Sequence, residues 1–185
     1  MGANASHLNY RLVAAEFAAL RGEGTSDSLG LDVNYPLVRS RLRNLYLTGA
    51  VDRRRFDNRA TGTVTTHYES NTLTLGLTGN LFDNLGGGGA NSASLLLTAG
   101  DLDLGASPNY AADAATARTH GGFGKLRYAL SRQQAIDADL SLFAAWSGQW
   151  ASGNLDSSEK LYLGGMQGVR AYPANEGGGS AGQML

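Results

Sequence analysis

Apolar and polar residues alternate one by one along most of this chain. In "DSLGLDVNYPL", Leu29, Leu31, Val33, Tyr35 and Leu37 share one face, while Ser28, Gly30, Asp32 and Asn34 share the other. In "NTLTLGLTGNL", Leu73, Leu75, Leu77 and Leu81 oppose Thr72, Thr74, Thr78 and Asn80. A strand projects successive side chains to opposite sides, so each segment has one greasy and one wet face. The same rhythm runs through "NLYLTGAV", "ASLLLTAG", "GKLRYAL" and "DLSLFAAWSGQW". Seven strands are predicted, near residues 8–21, 27–37, 42–55, 66–82, 91–104, 120–131 and 136–151. The first, "LNYRLVAAEFAALRG", alternates least, and its alanines would also suit a helix.

The connections differ in length. Residues 36–41, 83–90 and 131–136 read as short turns, whereas 56–67 and 104–120 read as long loops. Short turns at one end and longer loops at the other is the outer-membrane barrel pattern. A soluble sandwich with one buried and one solvated face would alternate in the same way. Two features lean toward the membrane. The wet face carries Ser, Thr, Asn and Gly with few Lys or Glu, unlike a typical solvated sheet. Trp146 and Trp150 fall on the greasy face near a loop end, where interfacial aromatics belong.

Composition narrows the chemistry. With no cysteine, the chain has neither disulfides nor thiolate metal sites, and its 3 histidines are scattered. A net charge of -1 gives no electrostatic case for nucleic acid. "HGGFGKL" (residues 120–126) lacks the first glycine and the hydroxyl residue of a phosphate loop, so Lys125 reads as a side chain on the wet face of a strand. Neither G-x-S-x-G nor H-E-x-x-H occurs, and we predict no catalytic residue, metal or cofactor. The one basic run, "DRRRFDNR" (residues 52–59), reads as a solvated loop edge or as a lipid contact. In the second reading Arg53 and Arg55 lie one membrane thickness beyond Leu45 and meet lipopolysaccharide phosphates.

The closing segment, "SSEKLYLGGMQGVRAYPANEGGGSAG", carries the most specific signal. It resembles the loop motif of two-partner secretion transporters, the haemolysin secretion/activation family, S-E-x-[FL]-x-L-G-G-x-x-x-V-R-G-[YF]-x-x-x-E-x-x-G-D-x-G. Ser158, Glu159, Leu163, Gly164, Gly165, Val169, Arg170, Tyr172, Glu176, Gly179 and Gly182 match in order. Ala171 replaces the glycine after the arginine, and Ser180 replaces the aspartate. "NYPLVRSRLRNL" (residues 34–45) is similar to the family's periplasmic turn.

The resemblance implies an all-β, up-and-down antiparallel barrel of about sixteen strands in the Gram-negative outer membrane. Its sixth surface loop would fold back into the lumen with the motif at its tip. Residues 1–155 would supply about seven strands, the fifth through the eleventh, and residues 156–185 the loop and the start of the next strand. The chain would then be an interior piece of a longer transporter with periplasmic POTRA domains. The implied function is export of a large exoprotein, a haemolysin or adhesin, with no enzymatic step. A barrel-assembly translocase of the same superfamily is the alternative; a lipid-modifying outer-membrane enzyme and a soluble glycan-binding sandwich are the readings from other classes.

Overall fold

The strands form where the alternation predicts them and outrun it at the loop ends. The computed structural model describes residues 1–13, 19–162 and 183–184. Along the chain come β1 (Gly2–Arg11), β2 (Glu23–Arg39), β3 (Arg43–Ala60), β4 (Thr63–Asp83), β5 (Gly89–Asp103), α1 (Tyr110–Ala115), β6 (Gly121–Ala135), β7 (Ser141–Ala151) and β8 (Gln183–Met184). Each strand neighbours the next, giving the sheet order β1-β2-β3-β4-β5-β6-β7-β8. Pairing is antiparallel, from Gly2↔Asp32 to Arg11↔Glu23 between β1 and β2, and from Lys125↔Ala151 to Ala135↔Ser141 between β6 and β7. At the far end Gly148 and Gln149 of β7 pair with Met184 and Gln183. This is the expected up-and-down all-β architecture.

Three expectations are corrected. The first strand occupies Gly2–Arg11, not 8–21, and Ala19–Leu20 lie in a helical turn. Alternating Asn4, Ser6, Leu8 and Tyr10 pair with β2, and the Leu12 N–H donates to the Gly22 carbonyl at 2.8 Å to close the connection. The predicted loop 56–67 is strand instead, with β3 and β4 meeting at Thr61 (φ 53) and Gly62 (φ 80). A tight turn with both residues at positive φ matches the twist of the flanking strands. Cross-strand bonds from Asn58 Nδ2 to Thr66 Oγ1 (2.6 Å) and from Thr65 Oγ1 to the Asn58 carbonyl (3.0 Å) continue the hairpin to its tip. The turns also move: that expected at 36–41 shrinks to 40–42, leaving Pro36 inside β2, and that expected at 131–136 shifts to 136–140, because β6 runs on to Ala135 and β7 starts only at Ser141.

The chain divides into two compact units. The first comprises Met1–Val33, Ala50–Leu73 and Ala99–Phe123. On its polar face Tyr68, Leu102 and Leu104 are buried, with Phe56 packed against them and its ring stacked on Tyr68 at 4.9 Å. Here polarity inverts: charge moves to the other face at Asp27, Arg53, Arg55, Glu69, Asp101 and Asp103. The second unit comprises Asn34–Gly49, Thr74–Thr98 and Gly124–Leu185. Its apolar face exposes Leu47, Leu75, Leu77, Leu95, Leu97, Leu130 and Trp146. On its polar face Leu96 lies over Gly76, where an added Cβ would come within 2.3 Å of the leucine.

The long loop 104–120 is held by one carboxylate. Buried Asp113, in α1, accepts from the Thr119 N–H (2.9 Å), the Thr119 hydroxyl (2.7 Å) and the His120 N–H (3.1 Å). His120 Nδ1 in turn accepts from the Leu104 N–H at 3.1 Å, and the Ser107 hydroxyl accepts from the His67 N–H at 2.9 Å. Burial pushes the Asp113 carboxyl up, but the Thr119 and His120 bonds outweigh it and hold the group below its ordinary value. A depressed carboxylate stabilises the fold above its unfolded pKa, and that contribution fades as pH falls through the folded one. At neutral pH the staple is therefore fully engaged. Asp113→Ala in the full-length protein should free the loop and speed tryptic cleavage after Arg118. Cleavage no faster than in wild type would show that the bonds do not hold the loop.

Candidate functional site

On the polar face of the second unit, β6 and β7 carry Lys125, Arg127 and Gln149. The strand period explains the grouping, because Lys125 and Arg127 are two apart on β6 and Arg127 faces Gln149 across the ladder. Arg127 Nη2 donates to Gln149 Oε1 at 3.0 Å. After β7 the chain turns at Ser152, whose hydroxyl accepts from the Gly124 N–H at 2.9 Å while its own N–H donates to the Gly124 carbonyl at 2.8 Å. Leu155 then buries, 1% exposed. Asp156 accepts through Oδ1 from the Ser158 N–H (2.9 Å) and hydroxyl (2.7 Å), the geometry of an Asx turn.

This turn delivers Glu159 to Lys125. Their side chains form an ion pair, only 5% and 11% exposed respectively. Lys125 Nζ also lies 3.4 Å from the Glu159 carbonyl, which accepts from Gln149 Nε2 at 3.3 Å. The loop base is thus locked to the strand wall by charge and by backbone at one residue. Sequence reading had Lys125 on the wet face and Glu159 in the motif, but not their union across 34 positions. Gln149 was missed as a site residue.

The remaining motif residues, Gly164, Gly165, Val169, Arg170, Ala171, Tyr172 and Glu176, lie outside the described residues. Arg53 and Arg55 are described. They project from β3 on the face of Val51, just past the apolar stretch, and both bind Glu69 of β4. Arg53 Nη2 meets Glu69 Oε2 at 2.6 Å, and Arg55 Nε meets Oε1 at 2.8 Å. Near them His67 pairs with Asp57, and His7 with Asp27 at 2.5 Å. Among the described residues no cluster of three or more metal-ligating side chains occurs.

An alternating sheet with one apolar face, whose polar face anchors a motif-bearing loop, matches one family throughout. The sequence fits the description haemolysin secretion/activation protein ShlB/FhaC/HecB over residues 1–185. The chain belongs to that family. Its place is the Gram-negative outer membrane, so the apolar face meets lipid and the polar face lines the lumen.

Residues 40–42, 84–88 and 136–140 join successive strands within the second unit. Among relatives, the heme/hemopexin transporter protein HuxB of Haemophilus influenzae strain 86-028NP is 27% identical over 187 residues, covering 100% of this chain and 32% of HuxB. HuxB of strain ATCC 51907 / DSM 11121 / KW20 / Rd gives the same identity and coverage. The chain therefore spans about a third of the length of the curated relatives it matches. The fold is similar to that of CdiB from Escherichia coli, with a TM-score of 0.73, 20% identity, and coverage of 92% of this chain and 31% of CdiB.

Proposed function

We propose that the full-length protein secretes a large exoprotein across the outer membrane by two-partner secretion, with the loop beginning at Ser152 as its working part. The observation that carries this reading is the Lys125–Glu159 lock, which fixes the start of the motif loop against the lumenal wall. A lumen lined by Thr, Ser and Asn offers a sliding chain weak hydrogen bonds and few apolar traps. Export of this kind requires no catalytic residue. A haemolysin or an adhesin is the cargo class, and the relative HuxB is named for heme and hemopexin. The test is to express the full-length gene with the exoprotein encoded beside it and to assay the culture medium. The exoprotein should appear only when the transporter is present, and equal release without it would overturn the proposal.

Arg53 and Arg55 form the second part of the reading. Both guanidiniums stay about half exposed beside the shared Glu69 carboxylate, which leaves N–H groups free to meet a lipopolysaccharide phosphate at the outer rim. Replacing both with glutamate in the full-length protein should lower barrel stability everywhere, because Glu69 loses its partners. The loss should be larger in lipopolysaccharide than in neutral detergent. Equal losses in the two media would return the arginines to a purely internal role.

A further inference from the structure

The turn between β2 and β3 carries Arg39, Arg41 and Arg43, all exposed. Alternation places Arg39 on the face of Leu37 and Arg43 on the face of Leu45, which is the lipid-facing one. Among the described residues no carboxylate pairs with any of the three. Asp83, at the turn end of β4, is already committed to Arg132 at 2.7 and 3.0 Å and to Asn91 at 2.7 Å. Like charges flanking one hairpin repel, so this rim is short of an anion.

Next to the rim, the lipid-facing side of the second unit is grooved. Small residues, Gly79, Ala93 and Ala144, lie among Leu81, Leu130 and Trp146 to leave a groove of about 780 Å³ with Arg43 in its lining. A second hollow of about 380 Å³ shares Gly79, Ala93, Leu130 and Trp146 and prolongs it. Glycine is required at 79, because a Cβ there would stand 2.8 Å from the Asn44 carbonyl oxygen. The groove is mostly apolar, and the resemblance of residues 34–45 to the family's periplasmic turn puts its charged end at the level of the inner-leaflet headgroups.

We propose that this groove seats one anionic phospholipid of the inner leaflet, an acyl chain along the groove and the phosphate on Arg39, Arg41 and Arg43. The planar guanidinium fork suits phosphate oxygens, and arginine binds them bidentately. The site rests on the membrane placement of the family and not on the cargo, so it stands or falls apart from secretion. It is also distinct from Arg53 and Arg55, whose guanidiniums already have a carboxylate.

Native mass spectrometry of the delipidated full-length protein, titrated with phosphatidylglycerol in a neutral detergent, tests it. One lipid should bind ahead of the rest, and phosphatidylcholine should bind more weakly. Arg39→Gln with Arg43→Gln should weaken that first binding about tenfold or more. Ala144→Leu, which fills the groove without touching charge, should weaken it as well. Arg11→Gln with Arg59→Gln, at exposed arginines that do not line the groove, should leave it intact. Heat-modified gel mobility shows that each variant is folded, and Arg43→Gln alone serves if the double variant is not. Unchanged phosphatidylglycerol binding in the arginine variant would overturn the proposal. So would displacement of the lipid by millimolar inorganic phosphate, since the groove would then contribute nothing.

Discussion

Replacing Arg170 with alanine in the full-length transporter is expected to abolish secretion while leaving barrel insertion intact. Arg170 sits between Val169 and Tyr172, in a stretch flanked by Gly164, Gly165, Gly168 and Gly177–Gly179. Such glycines let a backbone turn sharply and pass through a crowded lumen. Arg170 is the one cation in the sequence from Leu163 to Gly182, and a guanidinium can make a strong, directional contact with an acid. Its proposed partner is an acid on the barrel wall. Removing the arginine would leave that acid unmatched in a partly dry site, at a cost of several kcal/mol. Lysine keeps the charge but lacks the planar fork, so Arg170→Lys should rescue poorly. Loss of Val169 or Tyr172, which would seat the tip by packing, should be milder. Secretion at the wild-type level by Arg170→Ala would make the loop a passive plug.

How well the sequence announces the structure depends on the solvent on each side of a strand. Leu29 to Leu37 and Leu73 to Leu81 were legible because lipid on one side and water on the other enforce strict alternation. Where a strand leaves the bilayer both faces can be polar, and the signal fades. That is why residues 56–67 read as a loop although they form the outer ends of β3 and β4. The inversion itself was present in the sequence. Asp101 and Asp103 take over the face of Leu97, and Leu102 and Leu104 turn to the polar side, marking the upper edge of the apolar band. β1 was misplaced because its alanine-rich neighbour suggested more pattern than Asn4, Ser6 and His7, whose partners on β2 decide the pairing.

The candidate site was legible in its parts. A motif with fixed spacing singled out Glu159, and the strand period put Lys125 on the lumenal face. Nothing local joins them, because the chain runs through the rest of β6, all of β7 and the Ser152 turn in between. As a carboxylate, Glu159 calls for a cation. It pairs with a lysine, and its own carbonyl accepts from Gln149. Charge sign could be foreseen; the partner could not.

That union makes the second large prediction. Breaking a buried pair by removing one partner typically costs about 3–5 kcal/mol, because the remaining charge has lost its match. Here the cost falls on the loop base and not on the barrel, whose strands keep their ladders. Lys125→Glu and Glu159→Lys should therefore each leave heat-modified barrel mobility unchanged, expose the site after Lys160 to trypsin added outside the cells, and cut secretion sharply. The combined exchange restores opposite charges and should recover much of the protection, giving a coupling that the single variants cannot supply by addition. Gln149 donates to the Glu159 main-chain carbonyl, a contact that none of these variants removes. Purely additive losses, with no recovery in the double variant, would mean that Ser152, Leu155 and Asp156 hold the loop by themselves and that the ion pair merely fills the space they leave.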